Sequence, residues 1–161
     1  MTKSPIENVK TLTFDIFGTV LDLAGSLIPP LDNLLKECGN TENLKGSDVW
    51  AQWRLRQRIE QYQDNLYMLG HSGYLAVKRR ALIYSLKNLK VEFTYKQIDQ
   101  FMEAYQYLSP FPDAIEGLNR LNKKYDLVML SNGEQCPGSE VLGEGNASGY
   151  QGNCKGRTSS R

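Results

Sequence analysis

The chain has 161 residues and carries 19 Lys plus Arg against 18 Asp plus Glu, a formal charge of +1. That length suffices for one domain with a sizeable core, and the even charge balance argues against nucleic acid or an anionic membrane as partner. The three cysteines, Cys38, Cys136 and Cys154, have no metal-ligand spacing and an odd count, which with the lone His71 argues against a zinc site and a disulfide framework.

No signal-peptide core follows Met1, and no apolar run is long enough to span a bilayer, so a soluble cytoplasmic protein is the expectation. The first element is a short β-branched and apolar run, Thr11-Leu12-Thr13-Phe14, which ends abruptly in Asp15 and a Gly18-Thr19 turn. It reads as a buried strand that brings a carboxylate to the carboxyl edge of a sheet, where open α/β folds place their ligand sites.

A long helical stretch follows. Leu31, Leu34, Leu35 and Cys38 fall at helical spacing after Pro29-Pro30 and stop at Gly39. A longer helix is predicted after Ser47-Asp48, with Leu55, Ile59, Tyr62, Leu66 and Leu69 as one apolar stripe ending at Gly70. Leu75, Leu82, Leu86 and Leu89 predict a third helix, and Ile98, Phe101, Met102 and Tyr105 a fourth.

Past the stiff Pro110-Phe111-Pro112 connector, Asp113 and Glu116 suggest a capping box for a helix bearing Ile115, Leu118 and Leu121. Leu127-Val128-Met129-Leu130 is a second predicted buried strand, ending in Ser131-Asn132-Gly133. An α/β core interrupted by a helical insertion fits this order. Residues 133–161 hold seven of the 14 glycines, with Val141 and Leu142 the only branched aliphatics, so the tail is expected to be disordered. Asn146-Ala147-Ser148 matches a glycosylation acceptor, read as a chance match.

Asp15, Thr19, Ser131 and Asn132 sit at the ends of two strands expected to lie side by side. A carboxylate, two hydroxyls, an amide and turn N–H groups would then share one crevice. Taken singly, each residue has a plainer reading, Asp15 as a turn cap and Ser131-Asn132-Gly133 as a tight turn. Their joint placement favours a site.

Phe14-Asp15-Ile16-Phe17-Gly18-Thr19-Val20-Leu21-Asp22 resembles the first motif of the haloacid dehalogenase superfamily, and Leu130-Ser131-Asn132-Gly133 its second. Trp53-Arg54, Ala104-Tyr105, Leu108 and Pro110-Phe111 extend the resemblance to the type II 2-haloacid dehalogenases over about residues 10–134. It implies an incomplete Rossmann-type core (residues 1–23 and 109–134), a helical cap (24–108) and a separate tail (135–161). Phe17 stands where the superfamily's phosphatases carry a second acid. A halide departs without a proton, so carbon–halogen cleavage asks for no such acid.

The resemblance implies hydrolysis of short (S)-2-haloalkanoic acids to (R)-2-hydroxy acids, with Asp15 as nucleophile. It further implies that Thr19 supports Asp15, and that Arg54 and Asn132 cradle the halide. Ser131 and the backbone of Ile16 and Phe17 would hold the substrate carboxylate, with no metal or other cofactor. The expected partner is a small halocarboxylate, with no nucleic acid or membrane and with a homodimer left open. Arg54 could equally belong to a solvated face with Arg56, Gln57 and Arg58, and the tryptophans and tyrosines could wall a pocket or fill the core.

After Gly133 the family's later Lys and acidic motifs are not found, and Lys155 is not assigned that Lys role. A truncated or frameshifted product is therefore expected. A phosphatase of the same superfamily and a non-catalytic remnant remain the alternatives.

Overall fold

The computed structural model describes residues 8–39, 44–66 and 73–131. The expectations for Leu69, Gly70, His71, Asn132, Gly133 and the whole tail lie outside those residues. The described elements run β1 (Thr11–Phe14), α1 (Leu23–Glu37), α2 (Gly46–Leu66), α3 (Tyr74–Asn88), α4 (Tyr95–Met102), a 3-10 turn (Glu103–Tyr107), α5 (Ala114–Asn122) and β2 (Asp126–Met129). This is the expected order of a small parallel sheet interrupted by helices. No helix among the described residues is long and apolar enough to cross a membrane.

β1 and β2 pair in parallel, with Thr11 opposite Asp126 and Phe14 opposite Met129. The Leu130 N–H donates to the Phe14 carbonyl at 2.8 Å, so both chains leave the sheet at the same edge. The two strands are not the buried ones expected. Only Leu12, Phe14 and Leu127 are half-buried, while Val128 and Met129 stand exposed. Parallel strands are normally covered on both faces. Here each has one strand neighbour among the described residues, and α5 lies on β2.

Helix α1 corrects the reading that it starts after the prolines. It begins at Leu23, capped by the Asp22 carboxylate, which accepts from the Gly25 N–H at 2.8 Å, and it carries Pro29 and Pro30 within it. Those prolines leave the Gly25 and Ser26 carbonyls without their helical donors, a cost of about 3 kcal/mol for an interior proline. Leu23, Leu27, Leu31, Leu34 and Leu35 offset it, since all are buried and each contributes about 2 kcal/mol. The start of α1 is also tied to the later chain. Asp22 N–H donates to Ser109 O at 2.8 Å, and Ser109 N–H donates to Ser26 Oγ at 2.9 Å.

Helix α2 corrects a second expectation. Its predicted stripe faces outward, with Leu55 65% and Leu66 78% exposed, and the buried face is Val49, Trp53, Gln57 and Glu60. Both faces satisfy helical periodicity, and the second won because Trp53 fills the centre of the core, against Phe101 and Tyr105. Gly46 permits the close start of α2, because a Cβ there would lie 2.6 Å from the Ile28 carbonyl oxygen.

The buried face of α3 is Val77, Lys78, Ala81, Leu82, Ser85 and Leu86, packed on α2. In α4, Thr94 and Gln97 form a capping box that the sequence reading missed. The box expected at Asp113 and Glu116 is absent. Asp113 already has a helical backbone (φ −93°, ψ −10°), not the extended one from which a cap carboxylate reaches the first turn.

Candidate functional site

The turn after β1 is built around one carbonyl. Ile16 O accepts the N–H groups of Thr19, Val20 and Leu21 at 3.3, 3.0 and 2.9 Å, and Gly18 N–H closes the loop onto Leu21 O at 2.9 Å. Gly18 has φ +91°, a left-handed conformation that a side chain would strain. The tight loop folds Thr19 back on the strand end, so its Oγ1 donates to Asp15 Oδ2 at 3.1 Å. Asp15 itself is exposed.

Because Leu130 is bonded to Phe14, the half-buried Ser131 leaves β2 at the edge where Asp15 leaves β1. Asn132 lies outside the described residues. Ile16 and Phe17 are both half-buried, and the Phe17 ring meets Tyr74 at the start of α3, with centroids 5.7 Å apart. Phe17 and Leu21 thus join the loop to the helical core.

Arg54 reaches this region from α2. It is half-buried, its Nη1 donates to Gln57 Oε1 at 2.9 Å, and its guanidinium lies 5.5 Å from the Trp50 ring centroid. The solvated-face alternative is corrected in part: Arg58 is exposed, Arg54 and Arg56 are half-buried, and Gln57 is buried. Trp53 is core, with its Nε1 donating to Lys78 O at 2.8 Å.

Tyr74, in contact with Phe17, feels charge from both sides of the site. Burial pushes its phenol upward, with Arg54 lowering it and Asp15 raising it, so the nucleophile candidate and the guanidinium act on the same hydroxyl from different elements. Burial likewise pushes Tyr105 far above the ordinary phenol range, Tyr74 adding to the rise while Arg54 and the facing Gln57 amide oppose it. Both phenols therefore remain proton donors at neutral pH.

Lys78 was missed altogether. It is buried on α3, with its Nζ 3.7 Å from the Tyr74 ring centroid, 4.0 Å from Tyr105 and 5.3 Å from Phe17. Such an aromatic cage suits an ammonium ion. Nothing in a Val-Lys-Arg-Arg run distinguishes this lysine from its solvated neighbours. Among the described residues, no three His, Cys, Asp or Glu side chains group as a cation site would require.

The family model described as "haloacid dehalogenase-like hydrolase" matches residues 9–146. The chain is 27% identical over 129 residues to (S)-2-haloacid dehalogenase 4A of Burkholderia cepacia, covering 80% of this chain and 52% of that protein. It is 24% identical over 129 residues to haloacetate dehalogenase H-2 of Moraxella sp. (strain B), covering 80% and 54%. The structure of L-2-haloacid dehalogenase from Xanthobacter autotrophicus with chloropropionic acid covalently bound superposes with a TM-score of 0.60 at 25% identity. That match covers 78% of this chain and 47% of the other. The chain spans about half the length of the curated relatives it matches. With the motif at Asp15, the parallel strand pair and the matched span together, the chain belongs to the haloacid dehalogenase-like hydrolases.

Proposed function

We propose that this chain carries the nucleophilic half of a site for hydrolytic dehalogenation of short (S)-2-haloalkanoic acids. The observation that carries the reading is the Asp15–Thr19 pair at the carboxyl end of β1, with Phe17 two residues after the carboxylate. Similarity to a protein named (S)-2-haloacid dehalogenase and to one with chloropropionic acid covalently bound supports it. In this reading residues 1–23 and 109–134 form the core and residues 24–108 the cap.

Thr19 donates to one carboxylate oxygen of Asp15 and so fixes the direction of the other. That oxygen attacks the substrate carbon opposite the halogen, forming an ester while the halide leaves with the bonding pair. Phe17 is sufficient at its position because a halide needs no proton. Arg54 and Asn132 receive the halide. Ser131 and the backbone N–H groups of Ile16 and Phe17 hold the substrate carboxylate. Water then adds to the Asp15 carbonyl carbon, and collapse releases an (R)-2-hydroxy acid, a proton and the restored carboxylate. The alcohol oxygen of the product thus comes from Asp15, and the water oxygen remains on the enzyme.

A single turnover of (S)-2-chloropropionate in ¹⁸O-water tests this. The expected product is unlabelled lactate, with the label found in the peptide containing Asp15. Label in first-turnover lactate would overturn the reading.

A further inference from the structure

We propose that Lys78 is a positioning residue, whose buried ammonium holds the Phe17 ring, and through it the loop that follows Asp15, against the helices. Lys78 is 1% exposed, and its Nζ lies over three rings from three separate segments. Tyr74, one turn earlier on α3, has its ring centroid 3.7 Å away, Tyr105 of the 3-10 turn 4.0 Å and Phe17 of the loop 5.3 Å. All three fall within the roughly 6 Å over which a ring face attracts a cation. The Phe17 and Tyr74 rings also meet each other, so the loop ring is held both by its neighbour and by the charge. The Lys78 backbone is fixed separately, because its carbonyl accepts from the Trp53 indole at 2.8 Å.

A charge is a costly way to fill this space. An ammonium must be stripped of water, whereas a methionine of similar length would pack there without that cost. What the charge adds is a directed hold on the rings, and the loop is held at Phe17 by little else of that kind. Its far end has its own anchors, since Phe111 N–H donates to Val20 O at 2.9 Å and Asp22 N–H to Ser109 O at 2.8 Å. Phe17 stands nearer the carboxylate, two residues after Asp15 and inside the stretch closed by the Thr19 N–H to Ile16 O bond. Fixing that ring therefore fixes the short loop on which Asp15 and Thr19 meet. The bearing of Lys78 on turnover rests on the dehalogenation reading above, while its hold on the loop does not.

Hydrogen exchange of the full chain, read at single amides, tests the proposal with Lys78→Met. Exchange about tenfold faster is expected at Gly18 and Thr19, with Asp22 and Phe111 unchanged. The urea midpoint should equal or exceed that of the wild type. The kcat/KM for (S)-2-chloropropionate should fall about tenfold, and equally in Lys78→Met, Phe17→Leu and the double variant, since both residues act through one ring. Unchanged exchange at Gly18 and Thr19, exchange raised evenly through the helices, or losses that multiply in the double variant overturn the proposal. If circular dichroism shows Lys78→Met to be unfolded, Lys78→Gln takes its place with the same expectations, and failure of both to fold overturns it by making the charge part of the core. A wild type that releases no halide, with the exchange differences as expected, would overturn the dehalogenation reading and leave the hold on the loop standing.

Discussion

The Trp53 indole N–H donates to the Lys78 main-chain oxygen at 2.8 Å, locking α2 against α3, the helix that meets Phe17 of the loop after Asp15. Trp53 is fully buried and touches Trp50, Phe101 and Tyr105 edge to face. One side chain therefore fills the core and sets the relative height of Arg54 and Lys78.

Trp53→Ala should destabilise the chain by about 4 kcal/mol, the usual cost of emptying a large aromatic site. Trp53→Phe should cost less but lose the indole hydrogen bond, about 2 kcal/mol in all. Urea denaturation followed by far-ultraviolet circular dichroism measures both. Equal stabilities for Trp53→Ala and the wild type would contradict the central place assigned to this residue.

Asp22→Ala should cost about 1 kcal/mol, because the α1 cap to Gly25 N–H is lost. The loss should be measurable although α1 also carries two internal prolines. A capping role predicts that Asp22→Ser, another good cap, restores most of it, and thermal melts of the two variants decide.

Thr19→Val removes the donor to Asp15 Oδ2 while keeping the side-chain shape. Under the proposed mechanism the expected result is a fall in kcat of about tenfold with KM little changed, since the hydroxyl acts on the nucleophile and not on bound substrate. Asp15→Asn should abolish halide release and leave the circular dichroism spectrum unaltered. A rise in KM alone for Thr19→Val would place the hydroxyl on the substrate instead.

The Tyr105 phenol is raised by burial, so the folded state holds its proton to higher pH than the unfolded chain does. The unfolded phenol titrates at about 10. Above that pH the unfolded state releases a proton that the folded state keeps, so stability is complete below pH ~10 and falls as pH rises beyond it. Tyr105→Phe should flatten this alkaline decline, with Tyr74 accounting for part of what remains. Urea midpoints collected from pH 8 to 11 provide the comparison.

Much of the fold could be read from local pattern. The β-branched run before Asp15 and the apolar run before Ser131 became the paired strands β1 and β2, with helices between, because strand and helix periods are properties of a few adjacent residues. The four-residue step from Asp15 to Thr19 across a glycine likewise left little freedom to the loop. Local pattern failed where two faces of one helix were both plausible. On α2 the stripe of Leu55, Ile59, Tyr62 and Leu66 had the better hydropathy, and the face with Gln57 and Glu60 was buried instead. Glu60 tolerates this because it meets Arg56 at 2.7 Å and Arg80 of α3 at 3.2 Å. Likewise, two prolines marked a boundary that α1 ignores, since five buried leucines outweigh a local backbone penalty.

The sequence by itself determined the order of elements, the carboxylate at a strand end and the family motif that surrounds it, because each rests on near neighbours along the chain. Only the tertiary structure decided that the Tyr74 ring meets Phe17 of the loop after Asp15, and that Lys78 lies buried among Phe17, Tyr74 and Tyr105. The physical reason is that burial of a charge depends on partners brought from remote segments. A lysine in a charged run is indistinguishable from a solvated one until the rings that enclose it have been assembled.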